Sequence, residues 1–102
     1  MENSSKYHNP EPVHYALRLF VAGNAPNSRI AKENLRRLLR DFPSEDVVDL
    51  DIVDVMDNPD AALSHGVFVT PALQVIEPGP ETLIFGNLSD QEVLKRLFPE
   101  KV

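Results

Sequence analysis

The sequence predicts one α/β domain, a mixed four-stranded sheet with helices on both faces. Three observations predict this architecture. Short runs of alternating apolar residues, typical of strands, are separated by segments with helical periodicity. A Pro-Gly link joins the last two apolar runs and suits an antiparallel hairpin. The chain of 102 residues is 42% hydrophobic and 25% charged, which is ordinary composition for a single globular domain.

The first strand and the first helix are predicted from a change of period. Residues 15–21 alternate between apolar and mixed positions, as a half-buried strand does. Turn-forming residues follow, and Asn27 or Ser28 is expected to cap a helix over residues 28–41. Its apolar stripe should pack inward while its arginines face water; the stripe is Ala31, Leu35, Leu38, Leu39 and Phe42, and the arginines are Arg29, Arg36 and Arg40.

The middle of the chain predicts a second strand and a short helix. Residues 47–55 follow Pro43 and are rich in β-branched side chains, with apolar positions alternating against aspartates. Asn58-Pro59 then opens a short helix that Gly66 ends.

Residues 72–76 and 82–85 are predicted to form the antiparallel hairpin. Ser89 and Glu92 have the spacing of a capping box, with Leu88 and Val93 placed as its hydrophobic staple. The last helix should run to Phe98 and stop at Pro99.

The predicted order is therefore βαβαββα. A right-handed crossover makes the first two strands parallel neighbours and leaves the second at an edge of the sheet. This order describes the thioredoxin core. Residues 1–12 read as a flexible leader, and residues 13–102 as the domain.

The absence of cysteine excludes a large class of chemistry. With no cysteine in the chain, disulfides, thiolate nucleophiles and thiolate metal sites are impossible. His8, His14 and His65 lack partners at ligand spacing, and the aspartates at positions 49, 51, 54 and 57 read as a solvated strand face. No metal and no cofactor are predicted.

The charge distribution favours a protein partner. Five of the ten basic residues lie within positions 29–40, whereas positions 41–92 hold acidic residues and no lysine or arginine. Such a dipolar surface suits an oriented protein partner, and the net charge of −6 argues against nucleic acid. No apolar run approaches the roughly 20 residues of a membrane span, and the polar start lacks a signal-peptide core. We therefore expect a cytoplasmic protein that does not bind membranes.

The loop after the first strand lies where thioredoxins hold their reactive cysteines. Here Ala25 and Ser28 stand at those two positions. Ser28 has no local histidine or lysine to act as its base, so a helix-capping role is expected rather than a nucleophilic one. Thr70-Pro71 precedes the third strand, where thioredoxins keep a cis proline, and this resemblance implies a cis bond.

Four motifs resemble the KaiB clock proteins and their KaiB-like bacterial relatives. Residues 19–28 look like that family's strand-and-loop signature, and Val-Asp-Val at 53–55 with Asn58-Pro59 like its second motif. Residues 69–73, Val-Thr-Pro-Ala-Leu, look like the third. Gly86, Leu88 and Ser89 belong to the fourth, at residues 86–89.

The resemblance implies a regulator without catalytic activity. Members bind the ATPase KaiC, in clocks hold KaiA, and switch between the thioredoxin-like fold and a tetrameric fold with a rearranged C-terminal half, which is the alternative fold for this chain. Clock-type members carry basic residues on the third and fourth strands, where this chain has Gln74, Val75, Glu81 and Thr82. A non-cyanobacterial member is therefore favoured.

The predicted partner surface joins three features: the loop after the first strand, the basic helix face and the edge strand. Its residues are Gly23, Asn24, Pro26, Asn27, Ser28, Arg29, Arg36, Arg40, Asp49 and Asp51. The expected partner is a KaiC-like ATPase, in a clock-related or stress-adaptation system. The alternatives are a stand-alone input module for a histidine kinase, a stress regulator with another partner, and a thioredoxin-fold enzyme, against which the missing cysteines argue. A homo-oligomer, dimer or tetramer, stays open.

Overall fold

The computed structural model describes residues 12–98, and its elements follow the predicted order. In chain order they are β1 (His14–Val21), α1 (Pro26–Arg40), β2 (Val47–Asp54), α2 (Pro59–Ser64), β3 (Ala72–Glu77), β4 (Thr82–Phe85) and α3 (Gln91–Leu97). Residues 1–11 of the predicted leader lie outside the described residues. Pro99, the predicted stop of the last helix, lies outside them as well. The βαβαββα prediction is confirmed.

The four strands form one sheet in the order β2-β1-β3-β4. Strand β1 pairs with β2 in parallel and with β3 in antiparallel orientation, and β3 pairs with β4 as the predicted hairpin. Because β1 and β3 occupy the centre, their apolar residues can be covered on both faces. Strand β2 lies at an edge, as the crossover rule predicts.

The larger core lies between the sheet and the two helices α1 and α3. Leu17, Leu19 and Val21 of β1 point to this side and pack with Leu35 of α1 and Leu94 of α3. At one end of this core three rings contact one another: Tyr15 lies 4.9 Å from Phe42 and 5.8 Å from Phe98 between ring centroids. The predicted inward stripe of α1 is confirmed.

Helix α2 covers part of the opposite face. Phe20 of β1 packs there with Ala62 and Val67. Gly66 caps the C-terminal end of the helix as predicted, and its φ of +75° lies in the left-handed region that glycine adopts without strain. The Val67 N–H donates to the Ala62 carbonyl over 2.9 Å and the Gly66 N–H to the Leu63 carbonyl over 3.1 Å, the two bonds of a Schellman cap.

Both side-chain caps predicted from the sequence are wrong. Helix α1 begins at Pro26 with Ala25 as its N-cap and has no side-chain cap, so neither Asn27 nor Ser28 caps it. Proline is preset for the first helical position, where its missing N–H costs nothing. Helix α3 is capped by Asp90 rather than Ser89, and its carboxylate accepts the N–H groups of Glu92 and Val93.

Three asparagines tie the turn after β4 to α1. The Asn34 side chain donates to the Asn87 carbonyl over 2.9 Å, and the Asn87 side chain donates to the Asn27 side chain over 3.1 Å. Asn87 also accepts the N–H of Ser89. Gly86 and Leu88 turn the chain there at φ values of +114° and +65°. This asparagine clasp fixes the approach to α3.

The peptide bond between Thr70 and Pro71 is cis, as the thioredoxin resemblance implies. The Glu77-Pro78 and Gly79-Pro80 bonds in the hairpin link are cis as well. Within residues 12–98, no helix has both the length and the apolar character needed to cross a membrane.

Candidate partner-binding site

The loop that follows β1 is held by hydrogen bonds at the N-terminus of α1. Gly23 turns the chain at a φ of +52°, and the Ala25 N–H donates to the Ala22 carbonyl over 3.0 Å. The Ser28 hydroxyl, only 1% exposed, accepts the Ala22 N–H over 3.0 Å. Ser28 therefore shapes the loop from beneath, and its side chain is not available to a partner.

Asp54 ties the same loop to the end of β2. One of its carboxylate oxygens accepts the N–H groups of Gly23 and Met56, each over 3.0 Å. The carboxylate thus satisfies two backbone donors that belong to different loops. The positions equivalent to a reactive cysteine pair are Ala25, which is exposed, and Ser28, which is buried. At these two positions a partner therefore meets Ala25 and backbone groups rather than the Ser28 hydroxyl.

Asp54→Ala should loosen both loops at once. Hydrogen bonds to a charged acceptor contribute about 1.5 to 3 kcal/mol each, and Asp54 accepts two, so we expect the free energy of unfolding to fall by roughly 3 kcal/mol. Urea denaturation followed by circular dichroism measures it. Asp57→Ala is the control, because that exposed carboxylate accepts no bond in the described chain and the charge change is the same. Equal losses in the two variants would contradict the role of Asp54.

The predicted basic face lies on the outer side of α1. Arg36 donates to Glu33 over 3.0 Å, and Arg37 lies 3.8 Å from the same carboxylate. Arg29 donates to the Asn24 carbonyl, which links the helix to the loop. Arg40 is exposed. Exposed ion pairs on one helix contribute little to stability, so these cations can turn to a partner at small cost.

The edge strand β2 offers backbone groups along its open side. The Val47 N–H donates to the Val13 carbonyl and the Val55 N–H to the Val21 carbonyl. Since a parallel ladder alternates, the odd-numbered residues of β2 point their N–H groups toward β1 and the even-numbered residues point theirs outward. Leu50 and Ile52 are among the outward residues, and their side chains are exposed on the α1 side.

Asp49 and Asp51 lie on the opposite face of the sheet from α1. Asp49 accepts from the His14 ring over 2.7 Å, and Asp51 lies 3.4 Å from Arg18. His14 thus has a hydrogen-bond partner on the neighbouring strand, and Arg18 of β1 lies 3.2 Å from a ring nitrogen of His65 at the end of α2. The aspartate face is exposed, as expected, and these two carboxylates also contact side chains of β1.

Arg18 is the centre of a polar cluster that the sequence did not predict. It contacts Asp51, His65 and Gln74, and Gln74 in turn donates to Glu81. The signal was present in the alternation of β1, where Arg18 is the one charged residue between apolar neighbours. Its partners come from β2, from β3 and from the residue that follows α2, so only the packed fold brings them together.

The ten predicted site residues do not form one surface. Five of them lie together at the loop and the start of α1, while Arg36 and Arg40 extend that surface along the helix; the five are Gly23, Asn24, Pro26, Asn27 and Arg29. Ser28 is buried, and Asp49 and Asp51 face away. The loop and the helix face remain as one continuous candidate, with the open side of β2 as a second. Among the described residues, no group of histidine and carboxylate side chains is arranged to hold a metal ion.

Comparison with known proteins decides the family. A sequence model described as the KaiB domain matches residues 18–99. The chain belongs to the KaiB family. It is 42% identical over 78 residues to the circadian clock oscillator protein KaiB of Rippkaea orientalis, covering 76% of this chain and 74% of that protein. It is 42% identical over 79 residues to KaiB of Trichodesmium erythraeum, with the same coverage of 76% and 74%.

Solved structures support the fold of this KaiB-family chain. The N-terminal domain of SasA from Synechococcus elongatus matches with a TM-score of 0.68 and 25% identity, over 93% of this chain and 91% of that one. Thioredoxin of Fasciola hepatica matches with a TM-score of 0.66 over 96% and 90%, at 22% identity, which bears on the fold alone. The thioredoxin-like architecture predicted from the element order is confirmed.

Proposed function

We propose that this KaiB-family protein is a non-catalytic cytoplasmic regulator that binds a KaiC-like ATPase in a clock-related or stress-adaptation system. The observation that carries the proposal is the 42% identity to clock oscillator proteins named KaiB, over three quarters of the chain. Ala25 and Ser28 in place of a reactive pair support a role in recognition rather than catalysis.

The geometry supports two contact areas for such a partner. The loop at residues 23–26 and the outer face of α1 present backbone groups and cations on one rigid support. The open side of β2 presents unpaired N–H and carbonyl groups, which can add a partner strand. Asp49 and Asp51 discourage pairing with a second copy, since like charges would meet across an antiparallel pair.

Arg36→Glu with Arg40→Glu is expected to weaken binding to the ATPase. Complementary charge at an interface steers association and orients the partner, so reversing two cations should lower the affinity at least about tenfold, or roughly 1.4 kcal/mol. Calorimetric titration of the full chain with a KaiC-like ATPase from the same host measures this. The loss should be larger at low salt, because screening weakens exposed charges.

Lys95→Glu with Arg96→Glu is the matched control. These exposed cations lie on α3 and give the same change in net charge. Equal loss in both double variants would remove the α1 face from the proposal. Absence of any binding by the native chain, across a wide range of concentrations, would remove the KaiC-like partner itself.

A second candidate is an input module that acts on a histidine kinase in trans. Similarity to the N-terminal domain of SasA over 93% of this chain favours it, because such a domain there forms part of a larger protein. Affinity purification from the native cell separates the two candidates: recovery of an ATPase supports the first, and recovery of a kinase supports the second.

A further inference from the structure

The most exposed large apolar side chains of the described residues lie in the loops at one end of the sheet. Phe68 is 79% exposed and Met56 is 72% exposed, and Val69 is exposed beside Phe68. Burying such side chains against a partner is favourable, because it removes apolar surface from water. Apolar residues left together on a surface mark contact sites.

The sheet register places these loops side by side. Phe20 of β1 pairs with Ala72 at the start of β3, and Val21 pairs with Asp54 at the end of β2. The loops 55–58 and 66–71 therefore flank the loop that follows β1. Strands β2 and β3 are separated by β1, so the two loops begin two strand spacings apart, roughly 10 Å. About three extended residues of a partner span that distance.

The backbone beside the aromatic ring is free to pair. Within the described chain, no hydrogen bond outside the helices and strands involves the backbone of Phe68, Val69 or Thr70. Backbone donors and acceptors that become buried need partners. An extended segment that lies along residues 68–70 could supply these hydrogen-bond partners. A partner that made only apolar contacts could not.

The charged side chains on the loop that holds Met56 and at the start of α2 are acidic, whereas Arg29 lies at the intervening loop after β1. Asp57 follows Met56 and Asp60 lies in the first turn of α2, and both are exposed. Positions 41–92 contain no lysine or arginine. A partner that carries lysine or arginine next to its apolar residues is therefore complementary, and an acidic or a self-derived surface from this region is not.

We propose that Met56, Phe68 and Val69 form a docking site for an extended segment of another protein. The segment carries two large apolar side chains about three positions apart, flanked by lysine or arginine, and pairs with the backbone of residues 68–70. The site uses neither the open side of β2 nor the outer face of α1, and it borders the loop at residues 23–26. It does not rest on the proposed function.

The test uses the full chain and a synthetic fluorescent peptide. The peptide has leucine and phenylalanine three positions apart between pairs of basic residues, and a matched peptide has glutamates in place of the basic residues. Fluorescence anisotropy should show binding of the basic peptide and at least tenfold weaker binding of the acidic one. Phe68→Ser with Val69→Ser should weaken the basic peptide at least tenfold. Val47→Ser, which changes an exposed apolar residue at the opposite end of the sheet, should leave binding unchanged.

Amide chemical shifts of the native chain locate the peptide without any variant. Changes confined to residues 23, 55–58 and 66–71 support the site. Changes centred on β2 or α1, equal binding of both peptides, or no binding at millimolar concentration would overturn it. Concentration-dependent shifts at residues 66–71 without peptide would assign the patch to a second copy, and nuclear Overhauser contacts from residues 1–11 would assign it to the chain's own start. Both results overturn the proposal. Leu50→Pro should keep peptide binding, so a failure of the proposed function is read separately.

Discussion

Leu50→Pro should abolish the addition of a partner strand and leave the fold intact. The Leu50 N–H points to the open side of β2, so proline there removes no bond to β1. Proline is tolerated in edge strands at such positions. The lost donor and the bulk of the ring should weaken partner binding at least about thirtyfold, or roughly 2 kcal/mol. Titration with the KaiC-like ATPase measures the affinity.

Leu50→Ala and Asp51→Pro are the controls for this prediction. The alanine variant keeps the N–H and should bind the partner nearly as well as the native chain. Asp51→Pro removes an N–H that points toward β1, so it should lower the free energy of unfolding by about 1 to 3 kcal/mol. If Leu50→Pro unfolds as Asp51→Pro does, the deduced direction of the N–H groups is incorrect. If it folds and still binds, strand addition is not the mode of recognition.

Leu19→Ala should be among the most destabilising single substitutions in the chain. Leu19 is 0% exposed in the middle of the central strand, between α1 and the sheet. Removal of a buried leucine leaves a cavity and costs about 2 to 5 kcal/mol. Domains of this size have a total stability of about 5 to 15 kcal/mol, so a large share would be lost. The midpoint of urea denaturation reports the change.

Ile52→Ala provides the matched comparison. Ile52 is the register partner of Leu19 and lies on the same face of the sheet, but it is 46% exposed at the edge. A loss of about 1 kcal/mol is expected, since less apolar surface leaves the core. Similar losses in the two variants would show that β2 is covered in solution, either by a second copy or by another part of the chain.

Strand and helix positions were predictable because burial repeats with the period of each element. The alternation in residues 15–21 identified β1 and its two faces, and the stripe from Ala31 to Phe42 identified the inward side of α1. The edge position of β2 followed from the handedness of crossovers. These predictions depend on patterns that the whole element shares.

Helix caps were not predictable to the residue, because neighbouring side chains compete for the same backbone donors. Ser89 has capping-box spacing, yet Asp90 lies one position later and accepts two N–H groups itself. At α1, the helix begins at Pro26, two residues before the predicted start at Ser28, and the Ser28 hydroxyl is buried where it accepts the Ala22 N–H. The identity of the capping residue depends on a single position, and the periodicity of apolar residues does not distinguish one position from the next.

The exposure of several apolar residues could not be predicted from the sequence, for a different reason. Leu50 and Ile52 fit the alternation of a covered strand, yet both are exposed on the edge strand. Phe68 lies next to buried Val67, and the sequence does not distinguish the two. The cluster around Arg18 likewise depends on contacts among separate elements. Features of this kind arise from tertiary placement.

The asparagine clasp and the apolar contacts of α3 have different roles. The clasp sets the angle of α3, and the apolar contacts set how strongly α3 is held. Amide pairs that water can reach add little net free energy, because water replaces them readily. The apolar side chains of Leu88, Leu94 and Phe98 therefore set how firmly the C-terminal helix is held. Asn27, Asn34 and Asn87 set the angle at which it is held, since hydrogen bonds have narrow angular preferences. Substitution of these asparagines should therefore change the angle of α3 before it releases α3 from the core.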